Sequence, residues 1–463
     1  MVSARDALET VDIGRRFSTI VPDVGRPADQ YHRESRSRRV PAARADIAVP
    51  KSEFRTVESL RTPDQPNLVQ RNEYLDESET FIPYSCQNID EDDIASVSSV
   101  LRSECLTQGP AVTAFEKAFA ERHQVAHAVA VSNATAGLHI GCLALGVGPS
   151  SRVWTSPNSF LASANCALYC GATVDFVDID PVTRNMSVTA LKEKLKGAER
   201  QGTLPNVLIP VDFAGLSCDL REMRALADRY GFSILEDASH ATGATYLGRP
   251  VGNQWADLTV FSFHAVKIVT TAEGGLITTQ DDALARKLRL LRSHGMTRDS
   301  KEMEGIAEGQ WSYEQVELGY NYRLTDLQAA LGSAQLKRLD SMHDRRIALA
   351  GRYDALLADL PLKLPARIPD RVSSWHLYAV EIDSTQTRRA RADVFAAMRA
   401  AKIGVNVHYI PIHTQPHYRR MGFKYGDFPA AEAYYAQAIS LPLYPALTED
   451  QQQRVATTLA QVL

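Results

Sequence analysis

NVLIPVDFAGLSCDLREMRALADRYGFSILEDAS, residues 206–239, holds two apolar runs on either side of an amphipathic segment. In the middle segment Leu220, Met223, Leu226 and Ala227 recur at helical spacing, and Gly231 follows as a residue suited to a left-handed C-cap. The flanking runs, NVLIPVDFAG and FSILEDAS, are apolar along most of their length, as in strands covered on both faces. A strand, a helix and a second strand in succession predict an α/β sheet with helices packed on both faces.

The same alternation extends outward. HAVAVSN (127–133), RVWTSP (152–157), ATVDFVDID (172–180), LTVFSF (258–263) and GLITT (275–279) read as further strands, so the seven suit one large, mostly parallel sheet. A second helical block opens at RLTDLQAALGSAQLKRLD, where Thr325 and Gln328 have capping-box spacing. After about residue 340, SWHLYAVEI and GVNVHYIPI read as short strands among helices. We therefore expect a large domain over 81–335 and a smaller α+β domain over 336–463. Residues 1–80, with RESRSRR, TPDQPN and RNEYLDESET, are polar and without apolar period, which suggests a flexible extension or a docking tail.

Hydrophobic residues make up 44% and charged residues 23% of the 463, the balance of a globular protein rather than a disordered or fibrous one. A net charge of -4 with no broad Lys/Arg run gives nucleic acid no electrostatic footprint. No apolar stretch of about 18 residues is available to cross a membrane, and MVSARDALETVDIGRR lacks the apolar centre of a signal peptide. A cytoplasmic location is the expectation. The six cysteines form neither a CxxC pair nor a zinc spacing, so no metal is expected and the thiols should be reduced and mostly buried.

G-x-G-x-x-G after a strand, G-x-x-x-x-G-K-[ST] and G-x-S-x-G are all missing, which disfavours a dinucleotide fold, a P-loop and a hydrolase elbow. Three polar segments at strand ends remain. In SNATAGLHIGCLALG a helix of small residues starts near Ala134, where unpaired N–H groups suit a phosphate, although a plain capped helix has the same sequence. LEDASHATG puts Glu236, Asp237 and His240 at the end of an apolar strand. Asp237 there is either a helix-capping or surface carboxylate, or one that pairs with a cation such as a protonated pyridine nitrogen. In FSFHAVKIVTTAEGG, Lys267 follows a buried strand through a turn rich in Ser, His and Thr. A lysine in such surroundings loses its proton more readily, and its neutral amine can condense with an aldehyde.

SNATAGL, EDASH, FSFHAVK with TTAEGG, and GYNYRLTDLQAALG stand in the order and spacing of the DegT-type nucleotide-sugar aminotransferases, and the chain resembles that family from about Phe81 onward. The resemblance implies fold type I and pyridoxal 5'-phosphate (PLP) as cofactor. It implies that Lys267 carries the cofactor, Asp237 bonds the ring nitrogen, Phe160 stacks on the ring and His240 lies near the ring hydroxyl. Phe160 is otherwise a core aromatic. Ala134, Thr135 and Ser262 would cradle the phosphate, and Asn321 would reach it from a neighbouring subunit, which implies a homodimer with shared active sites. Many family members carry Gly where this chain has Ala134.

Within the family, GVNVHYIPIHTQPHYRRMGF, AISLPLYPALT, IPYSCQNIDEDDI and LTQGP resemble the UDP-4-amino-4,6-dideoxy-N-acetyl-β-L-altrosamine transaminases of pseudaminic acid biosynthesis. That resemblance implies transfer of the amino group of L-glutamate to C4 of a UDP-linked 4-keto-6-deoxy-N-acetylhexosamine. FSFHA, the spacing to lysine and TTAEGG are shared with enzymes that make UDP-4-amino-4-deoxyarabinose, so that type, or a perosamine type, is an alternative. A PLP-bound sensor or scaffold without turnover is another. Substrate contacts are expected from Tyr84, Thr107 and Gly109 and from His408, Tyr409 and His413, the last three being equally suited to packing. Tyr320 and Arg323 either face the substrate or hold the dimer.

Overall fold

The computed structural model describes residues 80–463. The expected extension, residues 1–80, lies outside the described residues except for Thr80.

All seven expected strands form, as β1 (His127–Val131), β2 (Arg152–Thr155), β3 (Thr173–Phe176), β4 (Val207–Ile209), β5 (Ser233–Asp237), β6 (Leu258–Ser262) and β7 (Gly275–Thr279). They make one sheet in the order β1-β7-β6-β5-β4-β2-β3. Only β7 runs against its neighbours; the other pairings are parallel. β4, β6 and β7 are buried at every position, which explains their unbroken apolar sequence. β4 is shorter than its apolar run because Pro210 follows it, with no N–H to continue a ladder. The chain then turns through Phe213–Gly215 with Ala214 at φ 57°.

The helix Leu220–Tyr230 buries Leu220, Met223, Leu226 and Ala227 and stops at Gly231, whose φ is 77°. At Asp326–Lys337 the capping box is present: the Thr325 side chain accepts from the Gln328 N–H, and Gln328 Oε1 accepts from the Thr325 N–H at 3.0 Å. Asp326 adds a long-range cap. Its carboxylate accepts from the Gly109 and Ala111 N–H groups at 2.7 and 2.8 Å, at the start of the helix Pro110–His123. Asp326 is buried, and this anchoring of two helix starts on one carboxylate accounts for it.

Residues beyond 340 build a second, antiparallel sheet from β8 (Leu362–Lys363), β9 (Tyr378–Ile382) and β10 (Ala438–Leu441), with β9 in the middle. Its core joins Tyr353, Val380, Met398, Ile439 and Leu459, with Ile82 contributed from the other end of the described chain. SWHLYAVEI supplies β9 as expected. GVNVHYIPI does not become a strand. It makes one bridge, Asn406 to Ser440, and then crosses to the large sheet, where the Ile412 N–H donates to Pro157 O at 2.9 Å. All six cysteines are free thiols, but only Cys142, Cys166 and Cys218 are fully buried, and Cys105 is exposed. No helix among the described residues is long and apolar enough to cross a membrane.

Candidate active site

Register brings the three polar segments together at one edge of the sheet. Gly275 opens β7 and lies between Val131 at the end of β1 and Ser262 at the end of β6. One strand further, Asp237 pairs with Val260. The helix Ala134–Ala144 starts just after β1, with the Asn133 side chain accepting from the Ala136 N–H at 2.8 Å. Gly275 permits this approach: a Cβ there would lie 2.6 Å from Asn133 C and 2.7 Å from Ala134 N. Ala134, Thr135 and Ser262 are thereby gathered around a helix N-terminus, where N–H groups and the helix dipole favour an anion.

Asp237 is buried, 4% exposed, at the end of β5. The Ser163 hydroxyl donates to its Oδ2 at 2.6 Å, and the Ser239 N–H donates to Oδ1 at 3.1 Å. Ser159 lies 2.6 Å behind Ser163 and continues the chain. Burial of the Lys267 amine brings its pKa down to about 8, against the opposing pull of the Asp237 carboxylate. At pH 7 that leaves about one amine in ten neutral, against about one in three thousand for a solvated lysine.

Three histidines stand near this lysine. Ala214 N–H donates to His240 Nδ1 at 3.3 Å, so the ring proton sits on Nε2 and faces the Tyr409 hydroxyl at 3.1 Å. The His376 ring lies 4.5 Å from that of His240. His408 Nδ1 is 2.8 Å from Ser440 Oγ. Burial, and then the positive charge of Lys267, holds all three well below the ordinary histidine pKa, His408 at about 3. Neutral rings beside the amine keep it from being surrounded by positive charge. Burial pushes the Tyr409 hydroxyl upward, so it stays protonated.

Phe160 is not a core aromatic: its ring is 60% exposed, 6.4 Å from the Tyr409 ring. Tyr84 packs against His408 at 5.9 Å, which brings the N-terminal loop to the same place. Thr107 is exposed and bridges to Thr325, and Gly109 is engaged with Asp326. Asn321 is exposed, while the Tyr320 ring is occupied by His139 and Tyr322 at 4.9 and 5.0 Å. Arg323 is partly buried.

Of the two roles open to His413, substrate contact or packing, its surroundings are those of packing. Its fully buried side chain contacts Glu432 at 2.9 Å and packs on Phe428 at 4.8 Å, so its role here is packing and pairing. The motifs did not point to Ser163 or His376. Ser163 looks like any small helix residue, and its role exists only through its contact with Asp237. His376 carried a signal, a lone histidine in the apolar SWHLYAV, and its Nδ1 is buried without a hydrogen-bond partner.

These groups fit PLP. A neutral amine, a buried carboxylate, an exposed aromatic face and a glycine-lined helix start match an aldehyde, a pyridinium, a ring and a phosphate in turn. Among the described residues no group of three or more His, Cys, Asp or Glu side chains is arranged to hold a metal ion.

Residues 87–460 match the DegT/DnrJ/EryC1/StrS aminotransferase family. The spore coat polysaccharide biosynthesis protein SpsC of Bacillus subtilis is 41% identical over 373 residues, covering 80% of this chain and 94% of SpsC. Among solved structures, the putative sugar aminotransferase Spr1654 of Streptococcus pneumoniae, in its PMP form, superposes with a TM-score of 0.75 at 30% identity, over 82% of this chain and 98% of that one. Its PLP form superposes with a TM-score of 0.74. Helicobacter pylori PseC, an aminotransferase of pseudaminic acid biosynthesis, also gives a TM-score of 0.74 at 30% identity, over 83% and 99% of the two chains. The chain belongs to the DegT/DnrJ/EryC1/StrS family and is a PLP-dependent sugar aminotransferase.

Proposed function

We propose that this enzyme moves the amino group of L-glutamate to C4 of a UDP-linked 4-keto-6-deoxy-N-acetylhexosamine, the amination used in making pseudaminic acid. The observation that carries this reading is the likeness to PseC over nearly all of that protein, joined to the residues 404–412 segment that sets His408 and Tyr409 beside His240. We assign Lys267 to the cofactor aldehyde, Asp237 to the ring nitrogen, Phe160 to the ring face and His240 to the ring hydroxyl side. Ala134, Thr135 and Ser262 hold the phosphate, and Asn321 of a second copy completes that cradle in a homodimer. The division at about residue 335 separates the cofactor-binding part from the smaller domain, and the enzyme works in the cytoplasm.

PLP supplies an aldehyde that carries amino groups and a cationic ring that draws electrons from the carbon bearing nitrogen. The chain's own part is largely proton handling. Neutral Lys267 Nζ takes the proton from the α carbon of glutamate and holds it for return. Asp237, held in place by the Ser163 hydroxyl and the Ser239 N–H, would face the ring nitrogen and favour its protonated form. His240 and Tyr409, both neutral at pH 7, orient by hydrogen bonding without adding charge near the amine.

SpsC, at 41% identity, supports a second reading in which the acceptor is another nucleotide-linked keto sugar of a surface polysaccharide. One experiment separates the two: incubation with glutamate and a panel of UDP-, GDP- and dTDP-linked 4-keto sugars, with mass detection of the amino product. We expect selective turnover of the UDP-linked N-acetylhexosamine. Preference for a GDP or dTDP sugar, or for a UDP-pentose, would refute the pseudaminic reading.

A further inference from the structure

Two carboxyl groups with no part in this chemistry lie beside Asp237. Alternate residues of a strand face opposite sides of its sheet, so Glu236 points away from Ser163, into the core of Leu208, Cys218 and Ile234. Glu236 and Asp212 are both 0% exposed. Asp212 follows β4, where Val211 bridges to Asp237 and the Asp212 N–H donates to Asp237 O at 3.1 Å. That parallel register sets Asp212 diagonally across from Glu236.

Each carboxyl has one satisfied oxygen. Glu236 Oε2 accepts from the Thr259 hydroxyl at 2.7 Å, and Asp212 Oδ1 accepts from the Cys218 N–H at 2.8 Å. The remaining oxygens, Asp212 Oδ2 and Glu236 Oε1, are buried and meet no donor, on the same face of neighbouring strands. Carboxylates only accept, so a bond between two of them requires one proton. The surrounding charged and titratable groups are Asp237, the buried Cys218 thiol, and the Asp219–Arg371 ion pair near Cys218. None of them donates to either free oxygen. Burial pushes both carboxyl groups above their ordinary range, and the Asp212 charge adds to this at Glu236 as the Asp237 charge does at Asp212.

We propose that Asp212 and Glu236 share a single proton, and that this carboxyl–carboxylate bond is a positioning pair that ties the chain after β4 to β5 and thereby holds Asp237 in place. Its effect on the cofactor rests on the assignment of Asp237 to the ring nitrogen. The shared proton limits the pair to one negative charge beside Asp237. Glu236→Gln reproduces the protonated acid, with its amide N–H donating to Asp212 Oδ2 and its oxygen accepting from Thr259. Glu236→Ala removes the bond and leaves a buried Asp212 oxygen unpaired.

Infrared difference spectra of the cofactor-free protein at pH 7 test the proton directly. The carbonyl band of an un-ionised carboxylic acid should be present in the wild type and lost in Glu236→Gln. Titration of the cofactor-free protein with PLP, followed by absorbance, should give Glu236→Gln an affinity within about twofold of wild type and Glu236→Ala a loss of about tenfold or more. Far-UV circular dichroism checks that both variants fold. An unchanged infrared band overturns the proposal, and so does equal loss of affinity in the two variants. The infrared result holds even if Glu236→Ala does not fold. Should Asp237→Asn bind PLP with wild-type affinity and absorbance, the assignment of Asp237 fails while the shared proton still stands on its band.

Discussion

The amine of Lys267 is useful because the fold withholds solvent from it. A pKa near 8 means that the charged form is the one penalised, so the neutral fraction grows as pH rises through that value rather than through 10.5. The rate at which the cofactor-free enzyme captures PLP should therefore climb with pH to a half-maximum near pH 8. Stopped-flow absorbance measures this, and a midpoint above pH 10 would contradict the burial argument. Lys267→Ala should bring turnover down by several orders of magnitude while leaving the fold intact, because it removes the group that takes and returns the proton. FSFHAVK alone did not single out this lysine in the sequence; SNATAGL, EDASH and TTAEGG at family spacing did. Its depressed pKa depends on the surroundings that the folded chain packs around it.

At the scale of elements, the helix start at Ala134, which we propose holds the phosphate, is shaped by the close approach of β7. Gly275 makes this possible, since any Cβ would meet backbone atoms of Asn133 and Ala134, which cannot swing aside as a side chain could. Gly275→Ala should weaken PLP binding by about tenfold or more and destabilise the protein by about 1–3 kcal/mol. PLP titration and thermal unfolding check this; unchanged values in both would show that the helix and strand have room to part. The strands, the capped helix at Asp326 and the Gly231 stop were legible in sequence because periodicity and caps are local signals. The segment 404–412 was misread as a strand because its alternation of apolar and polar residues is the same whether or not a partner strand is present. Here one bridge forms and the chain leaves for the large sheet.

Across the whole molecule, Arg184 and Glu381 connect the two sheets. Arg184 lies in the loop after β3, and both its Nε and Nη2 donate to Glu381 Oε1 on β9, at 2.9 and 2.6 Å. Both residues are buried, 6% exposed. Loss of one partner strands the other charge, so Arg184→Met or Glu381→Leu alone should cost about 3–5 kcal/mol, and the two together much less. Thermal unfolding of the three variants decides it, and a double variant as unstable as the sum of the singles would show that the pair acts independently. The sequence by itself determined the sheet and its seven strands and brought Lys267 and Asp237 forward as candidates, because apolar period and short motifs are written in neighbouring residues. Only the tertiary structure decided that Ser163 supports Asp237, that His376 stands beside His240, that His413 packs in the core and that Glu236 and Asp212 share one face of neighbouring strands. Each of those depends on which distant residues meet once the sheet has formed, and no local pattern records that.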